Sequence, residues 1–379
     1  MYTDFREQLC NRLAAINDAG LYNSLGTTMS DDATIEVGGQ KLLNFSTPAP
    51  LPQNGSHNIG QAEENQTVTV AALEAQIARL LNADDCIIYN SQADANCAMT
   101  SHLLNRTDAV IYNTLGQFAI SGGPTFCRPV KYKYHGFDTD DIEKQLKIAQ
   151  AQQNRLLIID AVDMASGNIA PLNQILALAN RYKAVVAIDQ TLSAGLIGQC
   201  GKGVCSLFDD IDAPEIQTGS LRNLGVRGAY IAGRREIIDL LRQQPPTLAF
   251  DAPLTQSEIA AAKAAIDSTI KMDTERQYIL QITNYFIKKL YCLGLEIPPT
   301  QTSRLAVMVG DSRKAGIIAA TLARKGVLVS VAAAPLVSKD EARLIISLSA
   351  SHTQNDIEQA AKIFESVLPI FAEKQSQAD

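Results

Sequence analysis

Ala184-Val185-Val186-Ala187-Ile188-Asp189 carries no polar side chain until its last residue. Upstream, Leu156-Leu157-Ile158-Ile159-Asp160 has the same form, an apolar run ending in a carboxylate. Between the two, Pro171–Tyr182 reads as a helix. A run that does not alternate polar with apolar residues has no face for water, so both faces of such a strand must be covered. Helices placed between successive runs of this kind indicate a parallel sheet with helices on both sides. The rhythm extends upstream as helix Val70–Leu81, strand Asp85-Cys86-Ile87-Ile88-Tyr89, helix Ala93–Leu104 and strand Ala109-Val110-Ile111-Tyr112. In open α/β sheets, ligands bind beyond the carboxyl ends of the strands. Asp160 and Asp189 are therefore expected on adjacent strands, facing that crevice at one end of the sheet.

The flanks read differently. Residues 4–24 show Phe5, Leu9, Leu13 and Ile16 near helical spacing. Residues 34–45 read as a hairpin turning at Gly38-Gly39. Ser46 to Gln66 is rich in Pro, Asn and Gly and reads as a long irregular stretch. In the last third, Glu258–Tyr285 and onward reads as helix, including a long connecting helix. Leu305–Val309, Val327–Val331 and Ala342–Ser349 read as strands, and Asn355–Val367 as a closing helix. The expected division is an arm over residues 1–45, a large α/β domain over 46–245 and a small C-terminal α+β domain over 246–379.

The length of 379 residues suits a large domain plus a smaller one. A net charge of −7 disfavours a nucleic-acid partner. No apolar run is long enough to span a bilayer, and the N-terminus has no signal-peptide pattern, so a cytoplasmic location is expected. Seven scattered cysteines fit reduced thiols. Cys200 and Cys205 are the nearest pair, with no other Cys or His close in sequence, so no metal site is expected.

Five segments, in order, carry a resemblance. They are Tyr89-Asn90-Ser91-Gln92-Ala93-Asp94-Ala95-Asn96, Ile188–Gly195, Gly198-Gln199-Cys200-Gly201-Lys202-Gly203, Thr218–Tyr230 and Ala342–Thr353. The chain resembles the α-oxoamine synthase family of fold-type-I pyridoxal-phosphate (PLP) enzymes from about residue 5 to about residue 370. That family includes 2-amino-3-ketobutyrate CoA ligase, 8-amino-7-oxononanoate synthase, 5-aminolevulinate synthase and serine palmitoyltransferase. The resemblance implies an aspartate-aminotransferase-like large domain with a mainly parallel sheet. It also implies condensation of an amino acid with an acyl-CoA, with PLP as electron sink, and a dimer whose pockets are built from two chains.

Carried over residue by residue, the resemblance assigns Asp189 as the carboxylate that pairs with the ring nitrogen of PLP. It places Ser91, Gln92, Ala93, Gln117 and Ser220 around the cofactor. Other positions depart from the family. Asn223 stands where the family has the lysine that holds PLP, and a carboxamide cannot form an aldimine. Leu192 and Gln117 stand at histidine positions, Met164 at a serine position and Ile345 at the arginine that binds the substrate carboxylate. Arg343 and His352 match residues of a structural kind. Thr47-Pro48-Ala49-Pro50-Leu51-Pro52 replaces a longer family segment whose motifs are absent.

The expectation from these departures is a catalytically degenerate member: a pseudoenzyme acting as a structural or regulatory subunit or as a binding protein. It would have no catalytic residue and would hold PLP weakly, without a covalent bond. Its partner would be a second copy of itself or an active α-oxoamine synthase paralogue. The alternative is an active acyltransferase with relocated groups, for which Lys183 and Lys202 are the nearest lysines in sequence. A third idea makes Cys86 or Cys97 a nucleophile.

Overall fold

The computed structural model describes residues 7–11, 13–14, 32–37, 39–46, 50–51, 69–120, 122–125, 128–208, 214–243, 254–334, 336–338 and 340–372. Residues 7–11 and 13–14 are helical. The remainder of the helix expected over 4–24 lies outside the described residues, as does most of the stretch from Ser46 to Gln66. The hairpin forms as β1 (Thr34–Val37) and β2 (Gln40–Asn44), antiparallel, with Thr34 opposite Leu43.

Seven further strands form the main sheet. They are β3 (Asp85–Tyr89), β4 (Ala109–Asn113), β5 (Val130–Tyr134), β6 (Arg155–Asp160), β7 (Val185–Asp189), β8 (Ile216–Ser220) and β9 (Ala229–Gly233). Their order is β3-β9-β8-β7-β6-β4-β5. Only β9 runs antiparallel to its neighbours; from β8 to β5 every pairing is parallel. Alternate residues serve opposite faces. Ile111, Leu157, Ile159, Val186 and Ile188 join one core with helices Thr139–Ile148 and Leu172–Arg181. Val110, Tyr112, Leu156, Ile158 and Ala187 join another with helices Gln92–Leu103 and Arg235–Gln243. Each aliphatic side chain buried in this way contributes roughly 1.5–3 kcal/mol. This covering of both faces is why the strands read as unbroken apolar runs.

Strands β5 and β8 are not marked by apolar runs. In β8, Gln217 and Thr218 are each 1% exposed. They are tolerated because their side chains are bonded. Gln190 Nε2 donates to Gln217 Oε1 at 2.9 Å, and Gln217 Nε2 donates to the Leu81 carbonyl at 3.0 Å. The Thr218 hydroxyl donates to the Tyr230 carbonyl at 3.0 Å.

The chain divides into two units: Leu51–Met164 with Asn168–Arg276, and Met1–Pro50 with Ala165–Gly167 and Gln277–Asp379. The larger unit runs past residue 245 because helix Gln256–Thr269 packs its Ile259, Ala262 and Ile266 with Leu73 and Ile77 of helix Val70–Leu80. Gln76 Nε2 also donates to Asp267 Oδ1 at 2.6 Å. The helix expected from Glu258 through Tyr285 is two helices, Gln256–Thr269 and Asp273–Cys292. Arg276 explains the break. Its guanidinium turns back to the carbonyl of Thr269 at 2.8 Å, an acceptor left over at the end of the first helix, and also takes the carbonyl of Gly195, in the loop after β7, at 2.9 Å.

The smaller unit holds β10 (Arg304–Gly310), β11 (Val327–Leu328), β12 (Ser330–Ala332) and β13 (Ala342–Ser347). The run Val327–Val331, expected as one strand, divides at Val329. On one side β11 pairs with β2, and on the other β12 pairs with β13. Phe45, Phe286, Phe364 and His352 form the aromatic heart of this unit. The His352 ring stacks on Phe45 at 4.4 Å, and its Nδ1 accepts the N–H of Ser349 at 3.0 Å. Burial pushes the imidazole down from 6.5 to about 4. The unfolded chain therefore binds more protons than the native state between pH 6.5 and 4. The stability contributed is fully present above pH 6.5 and is lost as pH falls, by about 3 kcal/mol in total. The variant His352→Phe is expected to flatten this part of the acid limb when stability is followed by urea unfolding at several pH values. An unchanged slope in the variant would rule the histidine out as its cause.

Among the described residues, no helix is long and apolar enough to cross a membrane. No group of three His, Cys, Asp or Glu side chains among them could hold a metal ion.

Candidate functional site

Asp189 ends β7 and is 3% exposed. Its Oδ1 accepts the backbone N–H of Thr191 at 2.8 Å, and its Oδ2 accepts Gln92 Nε2 at 3.2 Å. The same Gln92 nitrogen reaches Thr218 Oγ1 at 3.1 Å. The Thr218 hydroxyl already donates to Tyr230, so both atoms facing that nitrogen are acceptors, which settles the orientation of the amide. The other end of the amide, Gln92 Oε1, is buried without a hydrogen-bond partner among the described residues.

Gln92 opens helix Gln92–Leu103, which Ser91 caps. Ser91 Oγ accepts the N–H of Asp94 at 3.1 Å and donates to Asp94 Oδ2 at 2.6 Å. The first N–H groups of a helix point out of its end, where with the helix dipole they favour an anion. Gln92 and Ala93 supply those positions, and Ala93 is exposed.

Asp160 ends β6 in direct register with Asp189 and is 5% exposed. Its Oδ1 accepts the backbone N–H of Gln117 at 2.7 Å. A Cβ on Gly116 would lie 2.1 Å from Asp160 Oδ2, so only glycine lets this loop lie on the carboxyl. Burial pushes Asp160 up to about 7, and the neighbouring Asp189 adds to the shift. Burial likewise pushes Asp189 up to about 6, with the Thr191 hydrogen bonds acting against it. Among the described residues neither carboxylate takes part in an ion pair.

Thr191 gathers the rest. Its hydroxyl accepts the Ser220 N–H at 3.3 Å, and its carbonyl accepts Asn223 Nδ2. Asn223 lies in the 3-10 turn Leu221–Leu224 that follows β8. The structure thus brings Gln92, Asp189, Ser220 and Asn223 together through Thr191 and Thr218, and places Gln117 on the loop beside Asp160. Thr191 and Thr218 have no sequence signal of their own. Asp160 had one, since its strand mirrors that of Asp189.

Other positions lie elsewhere. Leu192 packs on the core beneath β6 and β7. In the smaller unit, Ile345 is 3% exposed and packs with Ala306, Ala332 and Val337. Arg343 there is spent on Glu341, donating Nε to its carbonyl at 2.9 Å. Lys183 precedes β7 and so lies at the opposite end of that strand from Asp189. Lys202 is exposed on the loop Gly198–Gly203. Cys86 is fully buried in β3, and burial pushes its thiol up, which makes it inert as a nucleophile.

Residues 54–364 match the family described as aminotransferase class I and II. The chain belongs to that family. Within it the relatives are α-oxoamine synthases. The mitochondrial 2-amino-3-ketobutyrate coenzyme A ligase of Homo sapiens is 32% identical over 297 residues, 78% of this chain and 71% of that enzyme. The 8-amino-7-oxononanoate synthase of Petrotoga mobilis is 29% identical over 385 residues, 96% of this chain and 98% of that enzyme. A lysine-to-alanine variant of serine palmitoyltransferase from S. paucimobilis, solved with a bound PLP–myriocin aldimine, shares the fold. Its TM-score is 0.85 over 98% of this chain and 99% of that one, at 18% identity.

These likenesses overturn the expectation of a pseudoenzyme without enzymatic activity. The similarity runs over nearly the whole chain to proteins that are enzymes. The expectation that PLP is held weakly falls with it, since the same fold holds PLP in the palmitoyltransferase structure. The physical reason is that substitution at single contact positions leaves the assembly standing. The sheet-end carboxylate Asp189 stands in register with Asp160 and accepts hydrogen bonds from Thr191 and Gln92.

Proposed function

We propose that this chain is a PLP-dependent acyltransferase that condenses an acyl-CoA with an amino acid. Asp189 carries the reading. It is a buried carboxylate at the carboxyl end of a parallel strand, oriented by Thr191 and Gln92, with no cation paired to it among the described residues. Burying an unpaired charge is costly, and the protonated ring nitrogen of PLP is a fitting counter-charge. The start of helix Gln92–Leu103, with Ser91, Gln92 and Ala93, suits the phosphate. Gln117 and Ser220 complete the proposed surround. PLP, once bound, supplies an electron sink for charge that develops at the amino-acid α-carbon.

The chain's own residues bind and orient. Asp189 keeps the ring nitrogen protonated, and Thr191 holds Asp189 in place. Asn223 offers no amine, because its nitrogen is delocalised into the carbonyl. Its role is to tie the 3-10 turn to Thr191. The amine that reacts with the cofactor is accordingly the substrate's own. The assembly we propose is a dimer, following the resemblance; light scattering giving a monomer mass at micromolar concentration would count against it.

The test uses purified protein, PLP, an amino acid (glycine, serine or alanine) and acyl-CoA from acetyl to palmitoyl. The expected result is PLP-dependent release of CoA thiol, with the PLP absorbance band shifting only when the amino acid is added. Borohydride reduction before the amino acid is added should leave every lysine unmodified by mass spectrometry. No thiol release with any pair would overturn the acyltransferase reading. A single stoichiometric lysine adduct would overturn the role given to Asn223.

A further inference from the structure

We propose that Asp160 is a positioning residue of this site: it clamps the loop that carries Gln117 and shares one negative charge with Asp189 across β6 and β7. The cofactor part of the inference rests on the PLP reading, whereas the clamp stands without it.

Three contacts make the clamp. Asp160 Oδ1 takes the Gln117 N–H at 2.7 Å. The side chain of Asn113, 6% exposed, bonds to the same carboxyl. Asn113 Oδ1 meanwhile accepts the N–H groups of Leu115 and Gly136 at 3.2 and 3.3 Å, so the amide joins the loop to Asp160. Gly116 closes on Asp160 Oδ2 with no room for a Cβ. The loop from Asn113 to Gln117 is thus fastened to one carboxyl at both ends and in the middle.

The shared charge follows from register. Adjacent strands run about 4.8 Å apart, and Asp160 lies directly opposite Asp189 with both buried. Among the described residues, the titratable groups whose fields are seen to reach the pair are Asp163, Tyr134 and Tyr230, none of them a cation. The Tyr134 hydroxyl is spent on the Ile158 carbonyl at 2.7 Å. Two desolvated carboxylates so placed hold a proton between them until a cation arrives. Asp189 faces Gln92 and Thr191, where PLP would bring that cation. Asp160 faces the loop, where the Gln117 N–H and the Asn113 side chain favour its ionised form.

The experiment compares wild type with Asp160→Asn, which keeps an acceptor but no charge, and Asp160→Ala, which keeps neither. Hydrogen exchange of the segment 113–117 in the protein without cofactor should quicken roughly tenfold or more in Asp160→Ala and by less than about threefold in Asp160→Asn. PLP affinity, by fluorescence titration at pH 8, should follow the same order. Melting followed from pH 5 to 8 tests the charge. Folded carboxyls raised above their unfolded value hold extra protons, so wild type should lose stability relative to Asp160→Asn as pH rises. Unchanged exchange in Asp160→Ala would overturn the clamp, and parallel melting profiles would overturn the shared charge. Should Asp160→Ala not fold, Gly116→Ala pushes the loop off an intact carboxyl and must reproduce the faster exchange. If wild type itself binds no PLP, the cofactor reading fails while exchange and melting still decide this inference.

Discussion

Asparagine in place of Asp189 is expected to weaken PLP binding by roughly a hundredfold, about 3 kcal/mol, and to reduce CoA release in parallel. The substitution is nearly isosteric and keeps an acceptor for the Thr191 N–H at 2.8 Å. What it removes is the counter-charge for the ring nitrogen. The unliganded protein should respond in the opposite sense. Burial pushes the Asp189 carboxyl up to about 6, which means that the ionised form is strained by desolvation. Above pH 7 the variant should therefore melt higher than wild type. A PLP titration and a melting curve on the same preparation check both halves. Equal PLP affinity in variant and wild type would remove Asp189 from the cofactor site.

The second large effect concerns the fold. Glu74 is 5% exposed inside the larger unit. It is held by the Ile88 N–H at 3.0 Å and by Arg242 Nη1 at 3.0 Å. Arg242 also reaches Asp85 Oδ1 at 3.3 Å and donates to the Cys86 carbonyl. Arg242→Met leaves the Glu74 charge buried and unpaired. A loss of about 3 kcal/mol is expected at pH 7, the low end for such a break because the guanidinium is one-third exposed. The urea midpoint should fall with little change in slope. Adding Glu74→Gln should recover most of the loss, since the unpaired charge goes with it. The deficit should also shrink in acid, where Glu74 takes up a proton. A single variant as stable as wild type would show that the pair is inert.

The large sheet was legible in the sequence because burial on both faces is written locally. Leu156–Asp160 and Val185–Asp189 could only be inner parallel strands, and the pairing of their terminal aspartates followed. Strand β8 was not legible. Its Gln217 and Thr218 are polar and become buried only when Gln190, Leu81 and Tyr230 arrive to bond them. The placement of β9 between β3 and β8, the helix break before Asp273 and the division at Val329 are likewise long-range outcomes. Each depends on partners that hydrophobic period does not encode.

The same distinction runs through the site. The sequence by itself marked Asp189 as a strand-terminal carboxylate and, through the motifs around it, the family to which the chain belongs. Reading each substituted position as an isolated lost contact led to the pseudoenzyme expectation, which the likeness to enzymes corrects. Only the tertiary structure decided what the remaining side chains do. Gln92 meets Asp189 across 97 residues of chain, and Asn223 meets Thr191 across 32. Hydrogen bonds between distant segments depend on strand register and helix packing together, and neither is a property of any one stretch of sequence.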